Sequence, residues 1–265
     1  MAPLEPPTGA PYRAPTPQES ALLQQLIALA QKEAVADTDL LSLVGTALKS
    51  DNPHVRANAL TMLEFAMVSL RATPGGRSPA RQAVLTERGW PVLRDSWRDG
   101  DGAVRRYALA TAMSLDLDDT RRSELTASCA TLFERDPEPM VRVVSLGWLL
   151  RAPGAAGGDR ALIERAIADR SPSVKAAGFA ALWMRQVPDF VPFVLTKLHD
   201  ESDPMNRITA AAALINVVTV DPSVVDTVSA RLRLETDPQV RQRLAGTVWA
   251  MRDTLARAKK PGVNQ

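Results

Sequence analysis

Cysteine and histidine are nearly absent from this chain of 265 residues. Its single cysteine, Cys129, excludes an internal disulfide and a cysteine-rich zinc site, and we expect it to be a buried, unreactive thiol. The two histidines, His54 and His199, are far apart in the sequence and lack the spacing of metal ligands. We therefore predict no catalytic residue, no metal site and no cofactor.

Long apolar runs are also missing, so the sequence predicts no transmembrane helix and no membrane partner. The net charge of +2 is too small to attract nucleic acid or anionic lipid strongly as a general effect. Residues 1–19 lack the basic start and apolar run of a signal peptide and are rich in proline. We expect disordered tails at residues 1–19 and 259–265, and a cytoplasmic location.

One short motif, in contrast, occurs six times, and its clearest copy is Asp237-Pro238-Gln239-Val240-Arg241. Proline suits the first helical position and the preceding residue suits the N-cap, so each copy predicts the start of a helix. The final basic residues of the six copies are Arg56, Arg105, Arg142, Lys175, Arg207 and Arg241. They are separated by 49, 37, 33, 32 and 34 residues, which indicates a repeat of about 34 residues with an early insertion. We place that insertion in a loop at residues 73–80.

Each period contains two predicted helices, and the second one follows the motif. Three, four and seven positions after the motif's basic residue, apolar and small residues recur, which predicts a buried stripe. The residues and the period together resemble the HEAT repeat over residues 37–258, whereas the signature residues of the tetratricopeptide repeat are not evident. The resemblance implies an all-α, right-handed α-solenoid of about six helical pairs, an armadillo-like helical fold spanning residues 20–258.

In HEAT-like arrays the second helices commonly line the concave side, and here their open faces are unusually apolar in the middle repeats. The candidate partner-binding residues are Val143, Val144, Trp148, Ala176 and Ile208. One interpretation is an alanine-rich surface that simply tolerates water. The other is a docking site for an apolar protein partner, such as a helix, a peptide or a second copy of the chain. The second interpretation predicts a non-enzymatic protein–protein interaction scaffold of unknown oligomeric state.

The motif's basic residues also have two interpretations. In HEAT-like arrays such residues commonly form ion pairs with acidic residues of adjacent turns. A phosphate-binding stripe is the alternative, and its best candidates are Arg105, Arg106, Arg241 and Arg243. This alternative predicts nucleic-acid binding.

Two HEAT-like enzyme classes are weaker alternatives. An AlkD-type DNA glycosylase would need an aspartate beside aromatic residues, for which the candidates are Trp249 with Asp253 and Trp90 with Asp95. The paired-tryptophan run of that family is absent. No cofactor-specific motif supports a phycobilin lyase.

Overall fold

The structure, a computed structural model, describes residues 13–30, 37–72, 79–151, 159–184, 190–200 and 202–258. This part of the chain contains thirteen α-helices and no β-strand. In order the helices are α1 (Pro17–Ala30), α2 (Asp37–Ala47), α3 (Pro53–Ala72), α4 (Pro79–Ser96), α5 (Gly102–Ala112), α6 (Asp119–Arg135), α7 (Pro139–Leu149), α8 (Asp159–Ile167), α9 (Pro172–Met184), α10 (Phe190–Leu198), α11 (Pro204–Leu214), α12 (Val224–Leu234) and α13 (Pro238–Ala258). A short 3-10 helix, Ile215–Val217, continues α11.

The helices belong to two compact units, Met1–Ala152 and Pro153–Gln265. In the first unit α2 pairs with α3, α4 with α5 and α6 with α7, while α1 packs against α2 and α3. In the second unit α8 pairs with α9, α10 with α11 and α12 with α13. The second helices of successive pairs pack directly on each other in both units. Three stacked pairs within each unit confirm the prediction of an all-α solenoid fold. None of the described helices is both long and apolar enough to cross a membrane.

Most motif copies begin a helix in the way the sequence predicts. The carboxylates of Asp101, Asp203 and Asp237 each accept hydrogen bonds from two backbone N–H groups in the first turn of the helix that follows. The Asn52 side chain accepts one from the backbone N–H of His54. Ser171 differs, because its buried Oγ has no hydrogen-bond partner in the described part of the chain. Helix α9 still begins at Pro172 and the Lys175 N–H donates to the Ser171 carbonyl, so Ser171 is the N-cap residue without a capping bond from its side chain.

The first helix begins earlier than the sequence analysis placed it. We predicted that the helical domain begins at residue 20, but α1 begins at Pro17. The physical reason is a capping box, in which the Glu19 N–H donates to Thr16 Oγ1 and the Thr16 N–H donates to the Glu19 carboxylate. Of the predicted N-terminal tail, residues 1–12 lie outside the described residues.

The early insertion in the repeat is accommodated largely by longer helices. Helix α3 has 20 residues and α4 has 18, whereas α5 and α7 have 11 each. We expected a loop at residues 73–80, but α4 already includes Pro79. Residues 73–78 lie outside the described residues.

The predicted stripe on the second helices forms the core. At the position three residues after the motif's basic residue, Ala59, Ala108, Ser145, Ala210 and Leu244 are each fully buried. Small side chains dominate this position, so neighbouring helices can pack closely. The single cysteine, Cys129, is also fully buried, and burial raises the pKa of its thiol to about 12. It is therefore protonated at neutral pH, as expected for a thiol inside a core.

Candidate functional site

The second helices α5, α7, α9, α11 and α13 each present one open face, which we call the second-helix face, whereas in α3 the equivalent Ala57 is only 6% exposed. The face consists of four positions, at −2, +1, +2 and +5 relative to the motif's basic residue. Because successive residues are rotated by about 100° around a helix, these four positions lie on one side of it. The core positions +3, +4 and +7 lie on another side. The face is therefore the part of each of these five helices that a partner could reach.

In the second unit, the faces of α9 and α11 carry no charge. On α9 the face consists of Ser173, Ala176, Ala177 and Ala180, and on α11 of Met205, Ile208, Thr209 and Ala212. All eight side chains are exposed or half-buried. Each helix has one charged residue, Lys175 or Arg207, and these are only 7% and 4% exposed. Two adjacent helices thus present small or apolar side chains to solvent.

In the first unit, the face of α7 is also uncharged. It consists of Met140, Val143, Val144 and Gly147, all half-buried. Val144 packs against the core of its unit as well, so it serves both the fold and the face. The face positions of α5 differ, since they include Arg106 and Tyr107.

Trp148 does not share this face. Its indole Nε1–H donates to Thr126 Oγ1 of α6 at 2.9 Å, so the ring lies toward the first helix of its own pair. The equivalent residues Ala181 and Ala213 are 1% and 7% exposed. The prediction that Trp148 lies on the open face is wrong, because its side chain is directed between the two helices of a pair.

The motif's basic residues form ion pairs between successive repeats of the first unit. Arg56 of α3 donates from Nε and Nη2 to the Asp99 carboxylate, both at 2.8 Å. Arg105 of α5 donates in the same way to Asp136, both at 2.7 Å. A third N–H of each guanidinium reaches a backbone carbonyl of its own turn, Ser50 or Asp99. Each arginine therefore connects two repeats.

The second unit repeats the arrangement with different partners. Lys175 Nζ lies 2.8 Å from the Asp203 carboxylate, and Arg207 Nε lies 2.8 Å from Glu235. Burial of Glu235 opposes ionisation, but hydrogen bonds from Arg207 and a backbone N–H hold the pKa of this carboxyl below its ordinary value. Arg231 lies 3.0 Å from the same carboxylate. The ion-pair interpretation of the motif's basic residues is thus confirmed for these repeats.

The acidic acceptor usually occupies a fixed position in the sequence of the repeat. Asp99, Asp136 and Glu235 each stand two residues before the N-cap, and each also accepts the backbone N–H of the N-cap residue. In the last of these ion pairs the acceptor is Glu235, which the sequence analysis did not name. The signal was present as an acidic residue two positions before the cap.

The four candidate phosphate-binding arginines fall into two groups. Arg105 is 8% exposed and is held by Asp136, while Arg106 lies half-buried over the Tyr107 ring, 4.4 Å from its centroid. Arg241 and Arg243 are exposed on α13. The last helix therefore carries the accessible members of this group.

The two pairs of glycosylase candidates have different surroundings. Trp90 is buried, donates its Nε1–H to Glu124 at 3.1 Å and forms an edge contact with Trp97, whereas the Asp95 side chain is 79% exposed. Trp249 is 69% exposed, and Asp253 lies one turn away from it on α13. The Asp253 carboxylate forms an ion pair with Arg257, at a distance of 2.8 Å.

A polar cleft of about 460 Å³ in the second unit was not predicted from the sequence. It lies beside the Lys175–Asp203 ion pair and includes Lys197, Asp200 and Phe193. Hydrogen bonds from Ser202 and Asn206 lower the pKa of Asp200 to about 2, so its carboxyl is ionised at neutral pH. No three metal-ligating side chains come together anywhere in the described ranges.

Comparisons with known proteins agree with this architecture. Residues 160–248 match a family model described as HEAT repeats. The X-ray structure of YibA from Escherichia coli is 15% identical, with a TM-score of 0.51, and the match covers 96% of this chain and 85% of that one. An archaeal HEAT-like repeats protein from Thermococcus onnurineus NA1 is 14% identical over 92% of this chain and 100% of that chain, with a TM-score of 0.40. No curated protein matches the sequence. The likeness to YibA concerns the fold alone.

Proposed function

We propose that this chain, whose motif resembles the HEAT repeat and whose residues 160–248 match the HEAT-repeat model, is a non-enzymatic scaffold that binds a protein partner. The binding surface is the second-helix face, and its centre in the second unit is formed by α9 and α11. The partner contributes a helix or an extended peptide with an apolar side. The predicted cytoplasmic location stays a prediction.

One observation carries this proposal, namely the lack of charge on the faces of α9 and α11. Charged residues are the commonest way to keep a helix surface in water, and the cores of protein interfaces are depleted of them. The only cations of these two helices, Lys175 and Arg207, are buried in ion pairs. The exposed alanines Ala176, Ala180 and Ala212 leave room for the backbone of a partner to approach closely.

The proposal is tested by charging this face without disturbing the fold. Ala176→Glu and Ala212→Glu alter exposed positions, so the folded chain tolerates them, whereas Val144→Lys or Ile208→Lys would alter half-buried positions. The control is Ala161→Glu, which charges an exposed alanine of the first helix α8. Circular dichroism and thermal unfolding are used to check that the combined Ala176→Glu/Ala212→Glu variant and the control are folded.

Each variant is then used to recover partners from the native cell extract at low and high salt, with and without nuclease. We expect a salt-resistant protein that the wild type and Ala161→Glu recover and that the Ala176→Glu/Ala212→Glu variant loses. Equal recovery by all three proteins would overturn the proposal. Direct binding measured with the purified partner then gives the loss in affinity.

Nucleic-acid binding is a second candidate function, and the exposed Arg241 and Arg243 favour it. Both side chains lie on α13 together with the exposed Trp249, and base stacking on an aromatic ring beside cations is a common way to bind single strands. An AlkD-type glycosylase would be a special case of this function. Titration of duplex and single-stranded DNA at several salt concentrations tests it, because phosphate contacts give an affinity that falls steeply with salt.

A further inference from the structure

The last described helix keeps the surface that stacks repeats together but leaves it uncovered. In α11 the ridge formed by the motif's basic residue and the residues four and eight positions later is covered. Arg207 is 4% exposed, Ala211 is fully buried and Ile215 is half-buried. The equivalent residues of α13 are Arg241, Ala245 and Trp249, and all three are exposed. Trp249 alone is 69% exposed.

Arg241 differs from the paired basic residues of the motif in one further respect. Arg56, Arg105, Lys175 and Arg207 each form an ion pair with an acidic side chain of the following repeat. The described residues provide no such acid for Arg241, which is exposed. The centre of the exposed ridge is a tryptophan, Trp249.

The same ridge continues to Asp253, four residues after Trp249, and its sequence is complementary to itself. In an antiparallel pair of α13 helices related by a two-fold axis, Arg241 of one copy faces Asp253 of the other. In that register Ala245 faces Trp249, so a small side chain lies opposite a large one. Ridges of residues spaced by four pack into each other in the commonest class of helix crossing. Asp253 already binds the exposed Arg257, but such a surface pair contributes little and can exchange.

We propose that the chain forms a homodimer through α13, with two Arg241–Asp253 ion pairs surrounding two Trp249–Ala245 contacts. The contact is isologous, since both copies use the same ridge. It is also small, because a single pair of crossing helices buries less than the roughly 1,600 Å² of a standard interface. We therefore expect a dimer that dissociates on dilution, with a dissociation constant on the order of micromolar.

Sedimentation equilibrium of the full chain, at concentrations on both sides of this range, tests the proposal. The wild type should change from the monomer mass to twice that mass as concentration rises. Arg241→Asp and Asp253→Arg should each weaken the dimer more than about tenfold, because like charges then face each other. The combined Arg241→Asp/Asp253→Arg variant should dimerise again. Trp249→Ala should not dimerise as the wild type does.

Arg243→Asp is the matched control, since it reverses a charge on the same helix outside the ridge and should leave the dimer unchanged. Circular dichroism identifies any variant that fails to fold. A wild type that is monomeric at every concentration overturns the proposal. It is also overturned if the Arg241→Asp/Asp253→Arg variant does not dimerise again while Trp249→Ala has no effect on the dimer. A chain that dimerises only after removal of residues 259–265 also overturns it, because its own tail would then cover the ridge.

Discussion

The guanidinium of Arg105 holds the carboxylate of Asp136 with two parallel hydrogen bonds of 2.7 Å each. Both side chains are almost inaccessible, at 10% and 2% exposure, and they belong to successive repeats. The pair raises the pKa of Arg105, mainly through its hydrogen bonds with Asp136 and against the effect of burial. This contact therefore fixes the position of one repeat on the next.

Loss of the Asp136 charge should destabilise the chain strongly. Asp136→Asn keeps an acceptor for the backbone N–H of Glu138 but leaves the Arg105 cation buried without the carboxylate that binds it. We expect a loss of about 3 kcal/mol in the free energy of unfolding, measured by urea denaturation. Glu87→Gln, which breaks the surface pair with Arg121, should cost less than about 1 kcal/mol. Similar losses for the two variants would contradict a structural role for the buried pair.

The cap position of α9 should respond to mutation unlike the other cap positions. Replacing a capping side chain by alanine normally costs about 1 kcal/mol, and we expect that result for Asp101→Ala, whose carboxylate accepts two backbone hydrogen bonds. Ser171 is 1% exposed and its Oγ has no partner among the described residues. Ser171→Ala therefore removes an unsatisfied buried hydroxyl, and it should be neutral or stabilising. Thermal unfolding of the two variants makes the comparison, and a loss of stability in Ser171→Ala would refute it.

Gly178 allows α9 to lie against α8. A Cβ at this position would come within 2.9 Å of Ile167 Cγ1 and 3.0 Å of the Ile167 backbone nitrogen. Alanine is a better helix former than glycine, so in open space the substitution should stabilise the chain by up to about 1 kcal/mol. We expect that gain for Gly45→Ala, where nothing lies within 4 Å, and a loss of about 1–3 kcal/mol for Gly178→Ala. Chemical denaturation measures both, and stabilisation by Gly178→Ala would show that α8 and α9 can separate freely.

The sequence predicted the repeats well because their signals are local. Proline after a capping residue starts a helix wherever it occurs, so the start of α3 at Pro53 and of α13 at Pro238 could be placed to the residue. The start of α1 was missed because the Thr16–Glu19 capping box was not recognised.

Side-chain direction was harder to predict. Trp148 and Val144 are neighbours on α7, yet the hydrogen bond from Trp148 to Thr126 turns the indole ring away from the open face. Such choices depend on the partner helix, which the periodicity of one helix does not describe.

Acid should weaken the second unit through the network around Asp200. The Asp200 carboxylate accepts hydrogen bonds from the Ser202 hydroxyl at 2.6 Å and from the Asn206 amide at 3.2 Å. These bonds lower its pKa from 3.8 to about 2 in the folded chain. A carboxyl whose folded pKa is lowered contributes stability that is complete above its unfolded pKa and is lost as the pH falls through the folded pKa. The Asp200 contribution should therefore decline between about pH 4 and pH 2.

Asp200→Asn isolates this contribution. At pH 6 the variant should be less stable than the wild type by no more than about 1 kcal/mol, because solvent screens a largely accessible carboxylate. Near pH 2 the two chains should unfold at the same denaturant concentration, since the wild-type carboxyl is then becoming protonated. Asp95→Asn, which removes a carboxylate that is 79% exposed and lies 3.9 Å from Arg94, serves as the control. A difference between Asp200→Asn and wild type that stays constant from pH 6 to pH 2 would mean that the hydrogen bonds of Asp200 do not depend on its charge.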